Sequence, residues 1–117
     1  MLMPYFAYGD EIEIGLRARR FGWKVAIVWG ARVVNPGDWT PRRTLSYLMT
    51  RNSLLMARTY GGHLRSVLRA ACMVPNTLRL WLIPSARGSA FSPAARAAAI
   101  RDFFLNRYGP PPAEFRK

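Results

Sequence analysis

Asp10, Glu11 and Glu13 fall within Asp10-Glu11-Ile12-Glu13, and they are three of the six acidic residues in a chain of formal charge +12. A carboxylate accepts the proton of a hydroxyl whose oxygen is attacking an electrophile, provided the two lie within hydrogen-bond reach, and neighbouring acids raise its proton affinity towards a useful range. The same residues have a structural use. Asp10 with Glu13 three positions on has the spacing of a capping box, in which both side chains satisfy free backbone N–H groups and complement the positive end of a helix dipole. That scheme gives Glu11 no capping duty, and Glu11 follows a loop, Phe6-Ala7-Tyr8-Gly9, at which a substrate can approach. Glu11 or Asp10 is the candidate general base, and periodicity does not choose between them.

Other chemistry-bearing residues are sparse. His63 is the sole histidine and has no cysteine or second histidine at ligand spacing, so it reads as a residue at a helix start. Cys72 is the sole cysteine, which excludes an intramolecular disulfide and points to a reducing, cytoplasmic setting. Arg42, Arg43 and Arg51 start or line a long helical pattern and are candidates for substrate or phosphate contact; the alternative is a solvated basic face. Trp23, Trp29, Trp39 and Trp81 are not spaced as a base-stacking platform.

The acids need a helix under them, and the pattern supplies one. From Asp10, Ile12 and Leu16 repeat at four residues, Glu13 and Arg17 form a favourable pair at the same spacing, and Gly22 supplies a stop. Residues 24–29 and 31–34 then read as one or two short strands, ahead of a turn at Asn35-Pro36-Gly37-Asp38. Thr40 followed by Pro41 predicts a capped helix start, with Leu45, Leu48, Met49, Leu55 and Met56 as its apolar repeat up to Gly61-Gly62. A further helix continues from Leu64 until Pro75 kinks or ends it, and 78–83 resumes it. Ser92-Pro93 opens a last helix through Asn106, with Ile100, Phe103 and Phe104 on its buried face, and Gly109 with the following prolines ends it.

Length and composition allow one domain with a modest core, since half of the 117 residues are apolar. Eighteen Lys and Arg against six Asp and Glu favour an anionic partner: nucleotide phosphates, nucleic acid or an acidic membrane surface. The apolar run 64–83 is interrupted by Arg65, Arg69, Arg79 and Pro75, which excludes a spanning helix there.

The stretch from Phe6 through Asp10-Glu11-Ile12-Glu13, Leu16-Arg17-Ala18-Arg19 and Phe21-Gly22-Trp23 resembles the C-terminal signature of family 2 glycosyltransferases. In that family an acidic pair precedes an apolar-acid-apolar run, then Leu-Arg-x-Arg, then glycine with an aromatic. The likeness continues through Ala31-Arg32-Val33-Val34 and Thr50-Arg51-Asn52, and more loosely through 101–109. The resemblance implies an inverting transfer from a nucleotide-sugar donor to a saccharide or lipid-linked acceptor, as in the synthesis of cell-envelope polysaccharide. The second acid of the pair is then the base. That acid is Glu11 here, where the family usually has aspartate, and Asp10 is its partner or alternative. Asn35 stands where relatives often carry a histidine that helps bind the divalent metal, Mg or Mn. The Asp-x-Asp motif that holds metal and donor in the family does not occur in this chain, so the isolated chain is expected to be inactive and to bind no metal tightly.

The fold expected from these readings is an α/β fragment. Residues 1–39 form the edge of a GT-A-like catalytic domain, with the acid-bearing helix and one or two strands of an incomplete sheet; 40–109 form a mainly helical section; 110–117 form a flexible tail. Apolar surface left open by such an edge predicts self-association, and the basic helices fit peripheral attachment to the inner face of the cell membrane. The rival reading is a small basic module for nucleic acid or membrane, with the acids as caps; the enzyme reading involves no specific nucleic acid.

Overall fold

A computed structural model describes residues 5–34 and 40–116, and the regular structure of these residues is helical. Among the described residues three α-helices follow one another, α1 (Asp10–Arg20), α2 (Arg42–Leu82) and α3 (Pro93–Phe104), with short 3₁₀ turns at Pro84–Ala86 and Ala113–Phe115.

The expectation of an α/β fragment is overturned, because no strand occurs among the described residues. Residues 24–34 have the β-branched and aromatic content of strands, but a strand exists only where a second strand takes up its N–H and C=O groups. Here 21–34 lie exposed, Ile27 and Trp29 at 94 % and 98 %, and the backbone bond from Ala31 N to Val28 O makes a local turn rather than a ladder.

The helices form where local signals converge. At the end of α1, Gly22 takes the left-handed conformation (φ 81°), and the N–H groups of Gly22 and Trp23 return to the carbonyls of Arg19 (3.1 Å) and Ala18 (3.0 Å). These are the two bonds of a Schellman cap. The C-terminus of α3 repeats the device with Asn106 at φ 54°, while Asn106 N reaches Phe103 O and Arg107 N reaches Asp102 O at 2.8 Å. At the start of α3, the Ser92 hydroxyl accepts from Ala95 N at 3.4 Å and Pro93 holds the first turn. The start of α2 differs from expectation. Pro41, not Thr40, is its cap residue, since the Thr40 hydroxyl instead accepts a bond from the Tyr8 hydroxyl.

Helix α2 breaks at Gly62 (φ 83°, ψ 175°), as the Gly61-Gly62 pair predicts, but runs on through Pro75, where a kink or an end is expected. Only glycine enters that backbone region without a Cβ clash. Proline at 75 costs α2 one hydrogen bond, but Ala71 and Pro75 are both exposed, so water reaches the carbonyl that is left free.

Helix α3 packs along α2 and makes the core. One cluster joins Tyr5, Leu54, Leu55, Ala70 and Phe103, and a second joins Tyr47, Leu48, Ala95, Ala99 and Phe115. Ala95 and Ala99 are fully buried; their small side chains let the two helix backbones approach. Phe103 faces this core, whereas Phe104, expected beside it, is exposed. Residues 110–116, read from sequence as part of a flexible tail, fold back. Phe115 stacks on Tyr47 with ring centroids 5.6 Å apart, and its carbonyl accepts from the Thr44 hydroxyl.

Three tyrosines of this fold hold their protons more tightly than usual. Burial raises Tyr5 and Tyr47 above the ordinary 10.0, and Tyr60 rises through burial and then through its bond to the Glu13 carboxylate. The stability they contribute is present below pH 10 and is lost as pH rises through the higher folded-state values, because the unfolded chain releases these protons first. Urea midpoints are therefore expected to fall above pH 10, and Tyr47→Phe to make that fall shallower; an equally steep fall in the variant would refute the assignment.

Candidate functional site

The acids sit where the chain enters α1, and the entry is bent. Tyr8 (φ 66°) and Gly9 (φ 90°) are both left-handed, a conformation that costs a residue with a Cβ about 1–2 kcal/mol. Something must hold Tyr8 there. The Asn52 side-chain amide, from the middle of α2, donates to Ala7 O at 2.6 Å and Tyr8 O at 2.8 Å, and the Tyr8 hydroxyl is tied to Thr40. Asn52 is itself buried, and its Oδ1 accepts from the Arg51 guanidinium at 3.3 Å.

This entry makes Gly9 the cap residue of α1 and shifts the acids by one position from the capping-box expectation. Neither Asp10 nor Glu13 caps the helix, and no side chain does so. Asp10 and Glu11 occupy the first turn, where their charge still complements the helix dipole. Glu13 is engaged elsewhere: its carboxylate pairs with Arg17 at 2.8 Å and accepts from the Tyr60 hydroxyl at 3.0 Å. Arg20 lies over the Tyr60 ring at 4.3 Å and completes the attachment of α1 to α2.

Glu11 then lines an open groove of about 710 Å³ between the start of α1 and one face of α2. Tyr8, Gly9 and Ile12 from the start of α1 line it, with Asn52, Met56, Tyr60, Arg65 and Arg69 from α2. Arg69 reaches Ser53 Oγ at 3.4 Å. A partly apolar groove lined by one carboxylate and two guanidinium groups suits a ligand with both hydroxyl and anionic groups.

The structure separates the other sequence candidates from this groove. Asp10 is half-buried beside it but does not line it. Arg51 is in the interior, 1 % exposed, with its guanidinium over the Tyr47 ring at 5.3 Å. Arg42 and Arg43 are exposed at the start of α2, and Arg43 borders a different hollow with Arg101, Glu114 and Phe115. Asn35 lies outside the described residues. His63 is exposed, and its carbonyl accepts from the Ser66 hydroxyl.

Asn52, Tyr60, Arg65 and Arg69 were not picked out from sequence. Met49, Asn52, Met56 and Tyr60 recur at helical spacing, and Met49 and Met56 read as core; Met49 is in fact exposed and lines the groove. Which of these residues line the groove and which enter the core depends on the face of α2 that meets the acid loop, and helical spacing does not record that.

Comparison with protein-family models, with curated proteins and with solved structures yields no match for this chain. Among the described residues, no three His, Cys, Asp or Glu side chains converge. These side chains do not form a donor set for a divalent metal. No helix among them is long and apolar enough to cross a membrane.

Asn52→Ala removes both amide bonds and leaves two carbonyls of the acid loop without their donor. The expected cost is about 1–2 kcal/mol in stability, with faster amide exchange at 8–13 than in the core of α2. Unchanged exchange in that segment would show that Asn52 does not hold it.

Proposed function

We propose that this chain carries the acceptor-activating part of an inverting glycosyltransferase, with Glu11 as general base. The observation that carries the reading is the placement of Glu11: of the acid pair picked out by sequence, it alone lines the groove that Arg65 and Arg69 also line. An acceptor hydroxyl beside Glu11 passes its proton to the carboxylate as its oxygen bonds to the anomeric carbon of the donor sugar. The anomeric C–O bond to the nucleoside diphosphate breaks in the same displacement, and the configuration inverts. Arg65 and Arg69 orient anionic groups of the bound substrates. Asn52 holds the left-handed Tyr8-Gly9 entry to the turn that carries Glu11, and general-base catalysis depends on such backbone positioning.

The test is sugar transfer by this chain joined to the segment encoded immediately upstream of Met1, with the anomeric configuration of the product read by NMR. An inverted product supports the proposal. A retained configuration excludes a single displacement. An upstream segment without an Asp-x-Asp donor site, together with no transfer, would favour the rival reading of a basic binding module.

A further inference from the structure

Beyond Gly62, α2 presents an apolar stripe to solvent. Leu64, Val67, Leu68, Val74, Leu78 and Trp81 recur at helical spacing and are all exposed, Leu64 at 72 % and Trp81 at 57 %. The face adjoining its Val74 and Trp81 edge packs inward, with Ser66 and Ala70 buried and Met73 and Thr77 partly so. At 100° per residue the stripe covers roughly 140° of the helix and runs for about 26 Å. It continues onto α3 through an apolar groove of about 510 Å³ lined by Val74, Leu78, Trp81, Ala97 and Ile100, with Arg101 at its edge.

Charge flanks the stripe along one side. Arg65, Arg69 and Arg79 project between the apolar and the packed faces on the same helical periodicity, and α2 contains no acidic residue along its whole length. A second copy of the chain is a poor cover for such a surface, since it would bring arginine rows together between molecules of charge +12. A bilayer with anionic headgroups satisfies both features together: acyl chains take the stripe, and the arginines extend along it to the phosphates.

We propose that residues 63–82 form an interfacial helix that lies in the plane of an anionic lipid bilayer, with the leucine, valine and tryptophan stripe towards the acyl chains and Arg65, Arg69 and Arg79 at the headgroups. This does not depend on the sugar-transfer reading. If both hold, the Glu11 groove, which shares Arg65 and Arg69, opens at the level of the headgroups, where a lipid-linked acceptor presents its hydroxyl.

Cosedimentation of the full chain with vesicles tests the proposal, using phosphatidylcholine alone and phosphatidylcholine mixed with phosphatidylglycerol. Binding is expected to the anionic vesicles, to weaken with salt, and to fall about tenfold or more in Leu68→Glu/Leu78→Glu and in Arg65→Gln/Arg79→Gln. These side chains are exposed, so circular dichroism should show the helix content retained. Val25→Glu/Ile27→Glu, which alters exposed apolar residues outside α2, should bind as the parent does. Equal binding to both vesicle types, or an equal loss in the Val25/Ile27 variant, would reduce the effect to general stickiness and overturn the proposal. So would absence of vesicle binding in a chain whose self-association is abolished by Leu68→Glu/Leu78→Glu, because a second copy would then cover the stripe.

Discussion

Glu11→Gln is expected to lower the turnover of sugar transfer by roughly 10²–10⁴-fold, the usual worth of a positioned general base, with little change in acceptor KM. Glutamine keeps the shape and length of the side chain and loses the ability to accept the acceptor's proton. The comparison that gives the result meaning is Asp10→Asn. Asp10 stands one residue earlier in the same first turn but does not line the groove, so its amide variant should stay within about tenfold of the parent rate. Steady-state rates on the chain with its donor-binding segment decide the matter. If both variants keep full activity, neither carboxylate is the base; if Asp10→Asn falls as far as Glu11→Gln, the acids act as a pair and the assignment to Glu11 alone is wrong.

The second large effect concerns stability. Asp102→Ala is expected to cost about 3 kcal/mol. Asp102 is 3 % exposed, and its carboxylate accepts from the Tyr47 hydroxyl at 2.8 Å and pairs with Arg101 at 3.1 Å. Arg107 approaches to 4.0 Å, and the buried Arg51 guanidinium lies over the Tyr47 ring. Removing the carboxylate leaves a buried phenol without its acceptor and a set of arginines without their counter-charge. Tyr47→Phe should cost less, about 1 kcal/mol, because it removes one bond and leaves Asp102 paired with Arg101. Urea unfolding gives both values, and added salt should restore part of the Asp102→Ala loss by screening the remaining arginines. A loss below that of Tyr47→Phe would mean that the carboxylate does not organise this end of the core.

Arg51 and Asn52 show how much adjacent residues can differ in what their pattern reveals. From sequence, Arg51 is a basic residue on an amphipathic helix and a candidate for phosphate, and Asn52 is the polar residue next to it. In the fold both are buried. Arg51 is taken up by Tyr47 and by Asn52, while Asn52 holds the backbone of the acid loop, 45 residues earlier in the chain. Burial of a polar side chain is decided by what packs over it, and a period of 3.6 residues does not record that. The strand expectation for 24–34 failed for the same reason, since pairing needs a partner strand that local composition cannot supply.

What the sequence determined by itself are the features with local causes. Helix α3 follows from Ser92, Pro93 and the alanine run, and the end of α1 from Gly22. The break in α2 follows from Gly61-Gly62, and the acid cluster with its Glu13–Arg17 pair from spacing alone. Each is closed by hydrogen bonds or contacts within about five residues, so the nearby letters carry the information. Only the tertiary structure decided which acid meets a groove. That choice depends on Tyr8 and Gly9 turning left-handed under the Asn52 amide, which moves the cap to Gly9, engages Glu13 with Tyr60 and leaves Glu11 lining the groove with Arg65 and Arg69. The backbone that leads into the acid-bearing turn is held by a side chain from the middle of another helix, and that contact exists only once α1 and α2 have come together.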